Sequence, residues 1–268
     1  MIIITDFIMG MIRSILDGVG ELGVGESVLL KTPETYNSAL YNGVMSIMDN
    51  AVMPIAYILL GLLFMLEIYN ITIRTGGMNH FGFEIVFRTM FKIVLIKLVI
   101  DSTPLIMSAI YAISTEIIGS IGGIFTGGMN SINYDSVALE EYIDGLKILQ
   151  QTLVAAQVLI IWIIYKFSII IVQVIMIGRM FEIYIHLAIA PLPLATLPNT
   201  ELSGVAKNFL KSFAAVSIQG VIIFIVLGMY HTLIGNMASS SGSDLTSLLL
   251  EAMLYSLVLV ASLFRQMV

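Results

Sequence analysis

Ionisable side chains inside long apolar stretches are the residues of this sequence with the clearest chemical potential. Lys166 lies near the centre of such a stretch, where an unpaired ammonium inside a membrane costs at least about 2.5 kcal/mol. Counting about 1.5 Å per residue from each predicted helix end places Glu116 and Glu251 at a similar depth. Glu67 lies nearer to the end of its own stretch. The pattern indicates either the polar lining of a pathway, including a proton relay, or a buried ion pair that fixes helix register.

A histidine in an apolar stretch with several prolines is the second candidate. Histidine is the residue type that most often serves as a pH switch or a proton relay, so His186 would suit either role. A histidine in such a stretch is more often a packing residue whose ring is hydrogen-bonded. Both interpretations of His186 stay open from the sequence.

The residue types and motifs of the sequence argue against other kinds of functional site. The chain has no Cys and three His that lie far apart, which argues against disulfides, thiolate chemistry and a metal site. It contains no nucleotide-binding loop and neither of the hydrolase motifs HExxH and GxSxG. We therefore expect no enzyme activity, no cofactor and no metal.

The composition is that of a membrane protein. Hydrophobic residues make up 58% of the chain and charged residues 11%, against about 45–50% and about 25% in soluble domains. The net charge is -6 and no run of basic residues occurs, which argues against a nucleic-acid-binding patch. The sequence predicts an all-α fold, a polytopic transmembrane helical bundle.

Five apolar runs are long enough to cross a bilayer. Their predicted bounds are residues 51–73, 104–125, 152–177, 209–234 and 245–264. Polar residues recur every three or four positions near the N-terminus, which predicts an amphipathic helix within an extracytoplasmic arm, residues 1–50, ahead of the membrane domain, residues 51–268. Asp101 and Pro104 break a longer run, so residues 81–100, with Arg88, Lys92 and Lys97, are predicted to form a membrane-proximal helix.

Residues 180–198 are apolar yet poorly suited to a straight crossing. They contain Pro191, Pro193 and Pro198, each of which lacks a backbone N–H and disfavours helix at the preceding residue. Arg179 and Lys207 flank the segment, and the excess of Lys and Arg on cytoplasmic sides places both in the cytoplasm. We therefore predict a re-entrant segment that is buried or lines a cavity. The alternative is a sixth crossing with the C-terminus outside.

The same stretch carries a family resemblance. Its residues run from Arg179 and Glu182, through Ala190, Pro191 and Pro193, to Lys207, Lys211 and Gln219. In this order they resemble the polytopic TrbL-type subunit of conjugative type IV secretion systems, in the short form found in Gram-positive bacteria. Outside this region the similarity is one of hydropathy only.

The resemblance implies a scaffold or channel subunit in the bacterial cytoplasmic membrane, with the N-terminus outside and the C-terminus in the cytoplasm. It implies a homo-oligomer that contacts other secretion subunits, including ATPases, and the relaxase–DNA substrate in transit. No catalytic or cofactor residues are implied.

A small secondary transporter or ion channel is the competing hypothesis. In that case Lys166, with Glu116 or Glu251, would form a polar site at the membrane midplane. Transporters of this kind usually contain paired broken helices in two related halves, whereas this sequence has one broken segment and no internal repeat. The secretion subunit is therefore favoured.

Single-cysteine labelling tests the predicted topology, because the chain has no native Cys. Cysteines at Asn199 and Ser240 are expected on opposite sides of the membrane, with position 199 in the cytoplasm. The measurement is labelling by a membrane-impermeant maleimide in intact and in permeabilised cells. Labelling of both positions from the same side would contradict the re-entrant prediction.

Overall fold

The computed structural model describes residues 2–23, 29–74, 83–125 and 136–240, together with positions 254, 257, 258 and 261. These residues form helices and connecting turns without a strand, which confirms the predicted all-α fold. The helices are α1 (Ile2–Gly23), α2 (Pro33–Tyr36), α3 (Ser38–Ile47), α4 (Met53–Arg74), α5 (Phe83–Asp101), α6 (Thr103–Phe125), α7 (Ser136–Asp144), α8 (Ile148–Ile189), α9 (Pro191–Leu194) and α10 (Ser203–Ser240). A π-helical turn, Met48–Val52, joins α3 to α4.

Four helical stretches within these described ranges are long and apolar enough to cross a membrane, which supports a helical membrane bundle. They are Ser38–Ile73, Thr103–Ile124, Ile148–Ile189 and Ser203–Tyr230. The predicted spans at 51–73, 104–125, 152–177 and 209–234 each overlap one of these stretches, although Ser38–Ile73 begins 13 residues earlier than predicted and Ile148–Ile189 ends 12 residues later. The predicted span at 245–264, which includes Glu251, falls outside the described residues apart from its isolated positions.

Helix α8 is longer than the sequence predicted. The third span was predicted to end near Ile177, yet the helix continues through Arg179 and ends at Ile189 after 42 residues. At about 1.5 Å per residue it is roughly 63 Å long, about twice the thickness of a bilayer's hydrocarbon core. Residues 180–189 of the predicted re-entrant segment are therefore helical, and the break comes only at Pro191, where backbone donors are lost.

The chain divides into two compact units. Unit 1 comprises Met1–Lys31, Thr115–Gly178 and Gln219–Val268, and unit 2 comprises Thr32–Ser114 and Arg179–Ile218. The residues of the predicted N-terminal arm are shared between the two units. Each unit has its own group of buried side chains.

The core of unit 1 is built from one face of several helices. The predicted amphipathic helix forms as α1, with Ile8, Ile12 and Ile15 buried, while Asp6 and Arg13 remain exposed. Thr5 Oγ1 donates a hydrogen bond of 2.6 Å to Asp144 Oδ1 and so links α1 to α7. Further buried residues come from α6, α8 and α10, among them Ile118, Val158, Tyr165, Val172, Val221 and Phe224.

Replacing Phe224 with Ala tests this core. Phe224 is fully buried, and its ring lies beside Gly122, where a Cβ would be 3.5 Å from Phe224 Cζ. Removing the ring leaves a cavity, and we expect a loss of about 3–5 kcal/mol in the free energy of unfolding. Reversible unfolding in detergent measures it.

The control is Phe167→Ala, because Phe167 is exposed on α8. Equal destabilisation by the two substitutions would show that Phe224 does not belong to a packed core.

Candidate functional site

Unit 2 is organised around the turn between α8 and α10, which we call the proline turn (residues 190–202). The chain reverses direction here, since Arg179 contacts Val216 while His186 contacts Phe209. Most of the turn is buried, including Ala190, Pro191, Leu194, Ala195, Pro198 and Asn199. Burial is what the sequence predicted for a non-helical segment of this composition.

The proline turn packs against α4, α5 and the start of α10. Buried residues that contact one another here are Ala56 and Leu60 of α4, Ile96 and Ile100 of α5, Leu194 and Ala195 of the turn, and Ala206 of α10. Three of these are alanines, whose small side chains allow backbones to approach closely. The turn is therefore held by apolar contacts on at least three sides.

The backbone of the turn satisfies most of its own hydrogen bonds. The amides of Ala195, Thr196 and Leu197 donate to carbonyls three or four residues earlier, at 3.0, 3.0 and 3.2 Å. Thr196 Oγ1 also donates to Pro193 O at 2.7 Å. Pro191, Pro193 and Pro198 have no backbone N–H, so fewer donors in this buried turn need partners.

Asn199 caps helix α10. Its Oδ1 accepts hydrogen bonds from the amides of Glu201 and Leu202, at 2.9 and 3.0 Å, as expected for an asparagine N-cap. The sequence analysis missed this cap because it began the next span at Phe209. An Asn immediately after Pro198 and before an apolar run was the available signal. Since Asn199 is almost fully buried, the exposed neighbour Glu201 is the better position for a labelling probe.

A charged pair ties the proline turn to two helices. Lys92 Nζ of α5 donates a hydrogen bond to the carbonyl oxygen of Pro198, and it lies 3.7 Å from Glu67 Oε1 of α4. The Glu67 side chain is 10% exposed and that of Lys92 40%. Glu67 Oε2 and Asn199 Nδ2 are buried without a hydrogen-bond partner in the described part of the chain. We call this group, Glu67 with Lys92 and Pro198 O, the lysine clamp.

Sequence reasoning missed the lysine clamp. Lys92 counted there as one charge of a membrane-proximal helix, and Glu67 was set aside because its depth did not match that of Lys166. The two residues meet only because α4 and α5 pack against each other, which the sequence does not reveal.

Arg179 is buried within α8 rather than lying at a helix end. It is 3% exposed, and its Nε and Nη2 donate to the carbonyl oxygens of Val216 and Ser217 of α10, each at 3.1 Å. Its Cζ lies 5.8 Å from the centre of the Tyr111 ring, a cation–π contact. No ion pair of Arg179 with a carboxylate occurs in the described ranges. The planar guanidinium bridges two successive carbonyls and so fixes the register of α8 against α10.

His186 packs beside aromatic rings. Its Nδ1 lies 2.8 Å from the carbonyl oxygen of Glu182, one helical turn earlier, and its ring centre is 5.4 Å from Phe209 and 5.9 Å from Phe213. These are the contacts of a packing residue.

Lys166 and Glu116 are not brought together as an ion pair. Lys166 is half-buried, with Nζ 5.8 Å from the centre of the Trp162 ring, whereas Glu116 is exposed. Glu251 lies outside the described residues. A polar pathway through Lys166 therefore stays a prediction. Of the remaining residues of the family-like stretch, Glu182, Lys207 and Lys211 are exposed, and Pro193 and Gln219 are half-buried.

Comparison with protein families identifies the chain. Residues 20–191 match the profile of a family described as TrbL/VirB6 plasmid conjugal transfer like protein. The chain belongs to this family. The match spans α4, α5 and α8 and ends at the first proline of the turn, so it includes Arg179 and Glu182 but not Lys207. Searches of individual curated proteins and of solved structures give no match. Membership makes this chain a membrane component of a conjugal transfer system, as the resemblance implied.

Breaking the lysine clamp with Lys92→Met tests its contribution to stability. The substitution leaves the Glu67 carboxylate buried without its cation, which costs about 1–3 kcal/mol in the free energy of unfolding. Lys97→Met is the matched control, because Lys97 pairs with Asp101 on the exposed side of the same helix and should change stability by less than about 1 kcal/mol.

Adding Glu67→Gln to Lys92→Met removes the buried charge and should restore part of the loss. Unfolding in detergent measures all four proteins. Equal effects of Lys92→Met and Lys97→Met, or no recovery in the double variant, would contradict the clamp.

Proposed function

We propose that this protein is a scaffold or channel subunit of a bacterial conjugative type IV secretion system, embedded in the cytoplasmic membrane. In this role it supports the passage of a DNA–protein substrate across that membrane. The observation that carries the proposal is the family match over residues 20–191, in a chain whose described helices include four suited to crossing a bilayer.

The role we propose is mechanical rather than chemical. Three features hold unit 2 together. The proline turn packs against its neighbouring helices, Arg179 is a buried cation that joins α8 to α10, and the lysine clamp supplies a second cation at the turn. A rigid membrane element of this kind suits a subunit that must keep its shape while neighbouring subunits assemble and a substrate passes. We propose that such assembly involves further copies of this chain, other secretion subunits including ATPases, and transiently the relaxase–DNA substrate.

The proposed orientation has the N-terminus outside and the C-terminus in the cytoplasm. Support comes from the basic residues that lie next to the ends of the predicted spans. Arg74 follows the predicted span 51–73, Lys207 and Lys211 stand at the start of the span 209–234, and Arg265 follows the span 245–264. Lys and Arg next to span ends favour the cytoplasmic side, which places all of these ends and the C-terminus inside.

Plasmid transfer tests the proposed function. An in-frame deletion of the gene in its native element is expected to abolish conjugal transfer, because the channel lacks a membrane subunit, and the wild-type gene supplied in trans should restore it. The measurement is the number of transconjugants per donor cell. Normal transfer from the deletion strain would refute the proposal.

A variant separates loss of function from loss of the protein. Arg179→Lys keeps the charge but cannot bridge two carbonyl oxygens with a planar fork, and we expect it to lower transfer while the protein is still inserted. Lys147→Ala, at an exposed position between α7 and α8, is the control and should transfer like the wild type. Immunoblots of membrane fractions report the amount of each protein.

A further inference from the structure

Helix α5 has the features of a membrane-spanning helix, although its sequence contains too many charges to be recognised as one. The sequence predicted a membrane-proximal helix here, and the four candidate spans selected by composition and length do not include it. Its position beside α4 leads to a different conclusion.

Two side-chain contacts define how α4 and α5 pack. Tyr57 of α4 donates a hydrogen bond to Asp101 Oδ1, and Glu67 of α4 pairs with Lys92 of α5. Moving forward along α4 from Tyr57 to Glu67 therefore means moving backward along α5 from Asp101 to Lys92. The helices are antiparallel over most of the length of α5, so that α5 cannot lie flat on one membrane surface while α4 crosses.

The dimensions of α5 agree with a crossing. Its 19 residues give a length of about 28 Å, close to the roughly 30 Å of a bilayer's hydrocarbon core. Helix α4 is part of the candidate span Ser38–Ile73, and α5 runs beside it at the same depth.

The outer face of α5 is apolar along its length. Large apolar side chains are exposed at every turn, at Phe87, Met90, Phe91, Val94, Leu95 and Leu98. Helix α4 exposes a similar series, at Ile58, Leu62, Met65, Tyr69 and Ile73. Exposed apolar surface of this extent on two adjacent helices requires a cover.

The charges of α5 are placed where a membrane tolerates them. Lys92, near the middle of the helix, is directed to Glu67 and the Pro198 carbonyl rather than outward. Lys97 pairs with Asp101 one turn later, at the end of the helix, and Arg88 lies near the other end. Long basic side chains near helix ends can extend to the interface, whereas a mid-helix charge needs a partner inside the protein.

We infer that α4 and α5 form a transmembrane hairpin and that the outer face of α5 contacts lipid acyl chains. The lysine clamp then lies within the bilayer, about 15 Å along α4 from Tyr57. Helical hydrogen bonds continue into α6, with Ser102 N to Leu98 O at 2.9 Å and Ile106 N to Ser102 O at 3.0 Å.

Spin labels on single cysteines test this inference, in the full-length protein reconstituted in phospholipid vesicles. Labels at Phe87, Val94 and Leu98 report the depth of α5. A label at Met65 reports the depth of α4 at the level of Val94, and a label at the exposed Thr35 gives a reference position outside both helices. Collision rates with oxygen, which concentrates in the membrane interior, and with a water-soluble nickel chelate give the depth of each label.

We expect oxygen collisions to exceed nickel collisions several-fold at Val94 and Met65, with similar depths at these two positions and shallower depths at Phe87 and Leu98. Equal shallow depths along α5 would mean that the helix lies in the interface, and dominant nickel collisions would mean that it faces water. Low collision rates with both reagents would mean that protein, such as a second copy, covers this face. Each of these three results overturns the inference.

Discussion

The need to satisfy a buried, proline-broken backbone is the constraint on which the structure of unit 2 depends. When a chain turns back inside a bundle, every amide and carbonyl that is not paired within a helix needs another hydrogen-bond partner, since the surroundings offer little water. The prolines lower the number of backbone donors, and short-range hydrogen bonds within the turn pair most of the remaining amides. Asn199 caps the helix that follows. The Pro198 carbonyl would remain without a donor, and Lys92 supplies one.

Cations that bind backbone carbonyls recur in this unit. Lys92 binds the carbonyl oxygen of Pro198 at the turn, and Arg179 binds the carbonyl oxygens of Val216 and Ser217. The charge of each cation is balanced partly by carbonyl dipoles. Lys92 also contacts the Glu67 carboxylate, and Arg179 also contacts the Tyr111 ring. These directional contacts join apolar helices at fixed registers. Packing of Leu, Ile and Ala alone tolerates sliding between helices far better than such contacts do. A subunit of a transfer apparatus, assembled with other membrane proteins, gains from that fixed geometry.

Much of this architecture could be predicted from the sequence, because hydropathy and helix length reflect the bilayer directly. Four spans, the amphipathic α1 and the break near Asp101 follow from composition and periodicity. The end of α8 did not, because Arg179 was taken as a boundary charge although a buried arginine is compatible with a continuous helix when carbonyls lie within reach. The Glu67–Lys92 pair and the role of Asn199 depend on which helices are neighbours, and a single sequence carries no direct record of that. The same limitation led to the expectation that Lys166 pairs with a carboxylate at equal depth, since equal depth does not make two helices adjacent.

Hydrogen exchange of the backbone amides of residues 194–205, measured by mass spectrometry on the protein in lipid nanodiscs, tests the central claim most directly. If the proline turn is a buried, internally hydrogen-bonded element held by Lys92 and Asn199, the amides of Ala195, Thr196, Leu197 and Leu202 will exchange as slowly as those of the adjoining part of α8. Rapid exchange across these residues, with slow exchange in α8, would show that the turn is an open loop and would contradict the account.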